Sequence, residues 1–243
     1  MAKVKTSPYL LAVALGLAAT AASAQQAYNP VLLNLSTLMD FNPVVGHVKS
    51  LNTSAVNDKG EAVYQLSMTL SADGCVQTLN STDNVNRMQT VLVKEGNALK
   101  GTQNGNPLSF TLDSKCNLLS RDDSAGHLDF VTNAQGQLKS VMLGEQKIVD
   151  HFYDADGNLI KAEFYASGMV ASSNSVTYPD SVNKPVDYTL VNQSAYQPGF
   201  RATNACQYDK RHVPTLCHVT VMPEKGQPAP MPNMTFTTQA SFY

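Results

Sequence analysis

Turn-forming clusters recur through the middle of this 243-residue chain at a nearly constant interval. They stand at Asn57-Asp58-Lys59-Gly60, Ala72-Asp73-Gly74, Lys94-Glu95-Gly96-Asn97, Asp113-Ser114-Lys115, Asn133-Ala134-Gln135-Gly136 and Asp154-Ala155-Asp156-Gly157-Asn158. Gly, Asn and Asp reverse a chain because they adopt left-handed conformations and bond their own backbone. Gly74, Gly96, Lys115, Gly136 and Gly157 are separated by 22, 19, 21 and 21 residues. Such a spacing holds two short strands and two reversals, so it is the rhythm of repeated β-hairpins.

The segments between the turns carry strand patterns. Ala62 to Leu70 alternates apolar and polar residues with one slip. His127 to Val131 faces Leu138 to Leu143 across a glycine-containing turn, and Ile148 to Tyr153 and Leu159 to Tyr165 form a further hairpin. Pro223, Pro228, Pro230 and Pro232 mark a late loop, and no segment stands out at the 3.6-residue spacing of a helix. With 43% hydrophobic residues the chain can build a core. The expected fold class is all-β: an antiparallel meander of hairpins, curled or closed into a barrel-like sheet, because an open sheet leaves edges that aggregate.

Residues 1–24 read as a signal peptide. Lys3 and Lys5 form the basic start, Tyr9 to Ala22 is apolar, and Ala22-Ser23-Ala24 supplies the small residues of a cleavage site. Cleavage is expected between Ala24 and Gln25, giving a periplasmic or secreted chain of 219 residues. No later apolar run reaches the length of a spanning helix, so no transmembrane segment is expected. Removing two lysines leaves 15 Lys and Arg against 19 Asp and Glu, a net charge of −4. That balance speaks against nucleic acid as a partner. Residues 25–38 read as an N-terminal arm and 39–243 as a single domain.

All four cysteines lie beyond the signal, and an even number in an exported chain points to disulfides. Three connectivities are open. The preferred one joins Cys75 to Cys116 and Cys206 to Cys217, each the nearest pair in sequence, the second bracketing a hairpin between Ala205–Tyr208 and Leu216–Val221.

Asp40-Phe41-Asn42-Pro43 followed by Gly46-His47-Val48-Lys49, then Thr69 to Cys75, Lys115-Cys116-Asn117-Leu118, Cys206-Gln207-Tyr208-Asp209 and Cys217, resemble the YnfC family of enterobacterial lipoproteins. The likeness runs from about Met39 to Tyr243. It implies a bacterial envelope setting and carries no mechanism. Members of that family have a cysteine directly after the signal that is acylated. Here Ala24-Gln25 stands at that place and the first cysteine is Cys75, so no lipid anchor is expected. The stretch Tyr153 to Leu159 also resembles a tyrosine-aspartate repeat of large bacterial shell and toxin proteins, in which each copy is a hairpin.

Motifs for chemistry are sparse. Asp154, Asp156, Asn158 and Gly157 fall partly into a calcium loop, but the first ligand position would be Phe152, so a hairpin turn explains them better. His47, His127, His151, His212 and His218 lack metal spacing, and no nucleophile elbow occurs. Asp122-Asp123 reads as solvated surface, and the ten Tyr and eight Phe read mainly as core, secondarily as material for holding a sugar or peptide. Five N-x-[ST] sequons, at Asn34, Asn52, Asn80, Asn192 and Asn233, are expected to be unused in a bacterium. No catalytic residue, metal ligand or cofactor is expected. The leading expectation is a non-enzymatic envelope protein that binds an envelope protein or glycan, with two alternatives: a hydrolase or inhibitor of an envelope enzyme, and a structural hairpin-repeat protein. N-terminal sequencing of the exported chain should begin at Gln25; a start before Ala24 or an attached lipid would contradict the reading of residues 1–24.

Overall fold

The computed structural model describes residues 28–224 and 226–243, so the expected signal peptide and cleavage site lie outside the described residues. Sixteen strands follow one short helix, α1 (Pro30–Met39). The strands are β1 (Val48–Asn57), β2 (Ala62–Leu70), β3 (Val76–Asp83), β4 (Met88–Glu95), β5 (Ala98–Gln103), β6 (Asn106–Leu112), β7 (Leu118–Asp123) and β8 (Gly126–Thr132). They continue as β9 (Leu138–Leu143), β10 (Gln146–Tyr153), β11 (Leu159–Ala166), β12 (Met169–Thr177), β13 (Tyr188–Ser194), β14 (Phe200–Tyr208), β15 (Pro214–Pro223) and β16 (Met234–Phe242). Each pairs antiparallel with its sequence neighbours, and β1 pairs with β16 from Val48↔Phe242 to Asn57↔Met234. The meander is therefore a closed barrel, and closure removes both edges.

The hairpin rhythm is one turn used repeatedly. Asp113, Asn133, Asp154 and Asp209 each accept, at Oδ1, the backbone N–H groups two and four residues on. In each, the residue three positions on lies in the left-handed region: Cys116, Gly136, Gly157 and His212. The left-handed residue of the turn at Asp113 is thus Cys116, one position after Lys115. At the opposite mouth the loops are tighter, as in Asn104-Gly105 and Ser167-Gly168, where both central residues have positive φ and match the twist of the flanking strands.

Along β1 and β2 the burial alternates. Leu51, Thr53, Ala55, Tyr64, Leu66, Met68 and Leu70 point inward, whereas Asn52, Ser54, Gln65, Ser67 and Thr69 face out. The outward row crosses strands as Thr237, Ser54, Gln65, Thr82 and Gln89. On this part of the wall the inside is apolar and the outside rich in amides and hydroxyls, whereas Val91, Val93, Leu119, Val131, Phe152 and Ile160 on other strands are exposed apolar side chains. Among the described residues no helix is long and apolar enough to cross a membrane.

Sixteen strands enclose more space than wall side chains fill. The first 20 described residues occupy part of it: α1 enters the lumen and the chain returns so that Tyr28 bridges to Val45 before β1 begins. The sequence pattern singled out no helix within 25–38. Locally the start is marked, since the Asn29 side chain accepts from Val31 N–H and Pro30 takes the first helical position. What is missing is a polar stripe: Val31, Leu32 and Leu35 are buried, and so are Asn34 and Ser36. A helix surrounded on nearly all sides has no amphipathic period to read.

Three hydrogen bonds of two side-chain amides hold the helix to the turns at its entry mouth. Asn29 Nδ2 donates to the Gly74 carbonyl at 2.9 Å. Asn34, 1% exposed, donates to the Gly136 carbonyl at 2.9 Å and accepts from Leu138 N–H at 2.8 Å. Cys75 is joined to Cys116, tying the β2–β3 turn to the β6–β7 turn at the same mouth, and Cys206 to Cys217, a directly opposed pair on β14 and β15. On the chain-entropy model closures of this length contribute about 4 and about 3 kcal/mol. Asn34→Ala should destabilise by about 2–5 kcal/mol in urea melts, because two buried backbone groups lose their partner. A loss under about 0.5 kcal/mol would show that the helix is not held this way.

Candidate functional site

The helix does not lie centrally. Leu32 and Leu35 belong to one apolar core whose largest fully buried wall residues, Leu51, Met68, Leu79, Leu92, Leu99, Leu118 and Leu138, are on β1 to β9, with fewer members, Ala202, Cys217, Val219, Val221 and Phe236, on β14 to β16. On the other side, Phe164, Asn174 and Leu190 on β11 to β13 are only half-buried and, with the buried Ala162 and Val176, line a cavity of about 560 Å³. This is within the size of small-molecule sites, which run to about 300–1,000 Å³.

The wall is built by register. His151 pairs with Ala162, Ala162 with Asn174, Asn174 with Asn192 and Asn192 with Phe200, a row crossing β10 to β14. Two residues along, the row is Val149 and Phe164; on the other side it is Val176, Leu190 and Ala202. Aromatic rings, Tyr28, Phe41, Tyr64, Tyr178, Tyr188 and Phe236, also line it. Tyr178 and Tyr188 meet edge to face at 6.3 Å, and Tyr64 and Phe236 lie 6.0 Å apart.

Few polar groups break this wall. His151 is 7% exposed, its Nδ1 has no hydrogen-bond partner among the described residues, and burial pushes its pKa down to about 4, so at neutral pH the imidazole is uncharged. Asp40 ends the helix in a left-handed conformation. The residue is solvent-accessible and lines the cavity, and desolvation by the surrounding protein first and the Asp83 charge second push its pKa up. Among the described residues no group donates to it. Asp83, by contrast, accepts from Asn86 N–H at 2.9 Å and Asn86 Nδ2 at 2.6 Å. Tyr64 donates to the Met39 carbonyl, and the hydroxyls of Tyr28 and Tyr188 have no protein partner among the described residues. Burial, then the Asp40 charge, holds the Tyr188 pKa up at about 12.

The other residues singled out in the sequence are elsewhere. Asp154 is the hinge of a hairpin turn, with both carboxylate oxygens bonded to Asn158. Asp122 and Asp123 point apart, Asp122 to His127 and Asp123 to Arg121. His212 sits in a turn, His218 faces out beside Thr235, and His47 precedes β1. Among the described residues no group of three His, Cys, Asp or Glu side chains could hold a metal ion. Sequence reading places His151 among the histidines without role and Asp40 only inside a family motif. The signal for both is position: His151 is the residue of its strand that the pairing aims inward, and Asp40 follows a buried helix.

The chain matches the uncharacterised protein family UPF0257 over residues 2–243, and it belongs to that family. Curated relatives include the UPF0257 lipoprotein YnfC of Salmonella heidelberg (strain SL476), 28% identical over 222 residues, and that of Salmonella typhi, 27% identical over 218 residues. Each alignment covers 90% of both chains. Among solved structures, a porin-like protein from Bacteroides uniformis ATCC 8492 aligns with a TM-score of 0.47 at 11% identity, covering 80% of this chain and 96% of that one.

His151 predicts a pH dependence. Between pH 6.5 and 4 the unfolded chain takes up a proton that the folded protein refuses, so stability falls on acidification, by up to about 3 kcal/mol. The exposed His127, its pKa raised by hydrogen bonds to Asp122 and Asp129, acts in the opposite sense: its contribution is full below pH 6.5 and lost as pH rises through its folded pKa. Comparing urea melts of the parent and His151→Gln isolates the first effect. The parent should lose more stability than the variant from pH 7 to pH 4; equal losses would contradict a buried neutral His151.

Proposed function

We propose that this UPF0257 member is a non-enzymatic binding protein of the Gram-negative envelope that holds a small, largely apolar molecule in its barrel lumen. The observation that carries this reading is the 560 Å³ cavity, apolar over most of its wall and bounded by few polar groups. A cavity of this size in a wall otherwise packed to 0% exposure at Leu51, Leu79, Leu92 and Leu99 is not a packing defect, since a lost methyl-sized contact alone costs about 1 kcal/mol.

The envelope setting is supported by relatives that are named lipoproteins and by two disulfides, which persist where the surroundings are oxidising. Because Gln25 stands where an acylated cysteine would, the chain is proposed to work unanchored, in the periplasm or outside the cell. The outer faces of β1 and β2, rich in amides and hydroxyls, suit contact with water.

A solvatochromic apolar dye should bind the exported protein at one per chain, with fluorescence rising as it leaves water. Ala162→Trp, which projects an indole into the lumen, should weaken binding by about tenfold or more while leaving the far-ultraviolet circular dichroism unchanged. Equal binding by parent and variant would place the dye elsewhere and overturn the reading.

A further inference from the structure

The lumen has a sign. Its wall holds two carboxylates, Asp40 and Asp83, and among the described residues no lysine or arginine. Asp40 also follows the last carbonyls of α1, and a helix C-terminus adds partial negative charge. Arg121 shares a smaller cleft with both acids; its guanidinium is engaged by Asp123 at 2.6 Å and by Gln103 Oε1 at 3.2 Å, and its buried Nε has no partner among the described residues. It forms no ion pair with Asp40 or Asp83 among the described residues, so neither acid is paired from that side.

Asp40 faces the cavity with no protein donor among the described residues, so its charge is free to pair with a cation that enters from outside the chain. The surroundings of Asp40 suit an organic cation better than a hydrated metal ion. Tyr64 and Tyr188 stand near enough for its charge to act on both hydroxyls, and aromatic faces attract ammonium groups. No cluster of three ligating side chains exists among the described residues to replace the water of a metal. A second, independent sign of a missing occupant lies farther along the wall, where His151 Nδ1 is buried without a partner. Because that imidazole is uncharged, it does not repel a cation.

We propose that the molecule held in the lumen is an organic cation, with an ammonium-type head beside Asp40, between Tyr64 and Tyr188, and an apolar body along Phe164 and Phe200 toward His151. This rests on the lumen reading above and names the class of ligand. It also explains why an acid at a helix end faces a cavity and not bulk water: the charge is the recognition element.

The test compares three probes with one tail, octyltrimethylammonium, octanoate and octan-1-ol, each by calorimetric titration into the exported full-length protein at pH 7 below its micellar concentration. Octyltrimethylammonium should bind about tenfold or more tighter than the other two, and Asp40→Asn should remove that preference. Asn is well suited to the left-handed position, so the variant should fold and melt no lower than the parent. Equal binding of all three heads, or tighter binding of octanoate, would overturn the cation assignment and leave the lumen reading standing. Binding of none of the three would overturn both. A preference that survives in Asp40→Asn would show that the head does not sit at that carboxylate.

Discussion

A sixteen-stranded closed barrel encloses more space than its wall side chains fill, and in this protein the contact between α1 and the inner wall, chiefly of β1 to β9, fills part of it. Wall side chains alone suffice for about eight strands; at sixteen they leave a channel. The helix supplies Leu32 and Leu35, both 0% exposed, to a core that runs from Leu51 to Leu138. Its polar residues are not exceptions to this packing. Asn34 satisfies two turn groups that the wall leaves open, and Asn29 a third. The repeated turn at the entry mouth is therefore also the seat of the helix.

Because the helix sits against one half, the other half keeps space. That asymmetry turns a structural protein into one with an inside. Residues that serve as ordinary inward positions of β10 to β14 become the wall of a cavity, and the end of the helix becomes a charge within it. His151 and Asp40 are both shifted in the direction that removes their charge, one down and one up, which is the mark of an enclosed, poorly solvated space. The disulfide between Cys75 and Cys116 ties two hairpins that are not neighbours in the sheet, and so restrains the rim through which the helix enters.

Much of the wall is legible in the amino-acid sequence, and little of the inside is. The turn clusters mark the hairpins because their chemistry is local: Asp113, Asn133 and Asp154 build the reversal from their own backbone. The alternation of Ala62 to Leu70 gives strand β2 with its bounds. The helix is not legible because burial on all sides erases the periodicity by which helices are recognised, and Asn34 and Ser36 read as arm or sequon. Nor is the cavity. Which of five histidines faces the lumen depends on pairing between strands, and no single segment states its register. Asp40 reads as one letter of a family motif; only the closed barrel shows that no group among the described residues donates to it. The calcium-like stretch at Asp154 illustrates the converse, a chemical pattern fully spent on a turn.

The central claim is that residues 30–39 form a helix docked inside the barrel as part of its cooperative core. Native-state hydrogen exchange read by mass spectrometry on the peptide covering that helix tests it most directly. The account predicts that its amides exchange only through global unfolding, with the same free energy and denaturant dependence as those of β1 and β2. Exchange at the rate of a surface loop, while the strands remain protected, would contradict it.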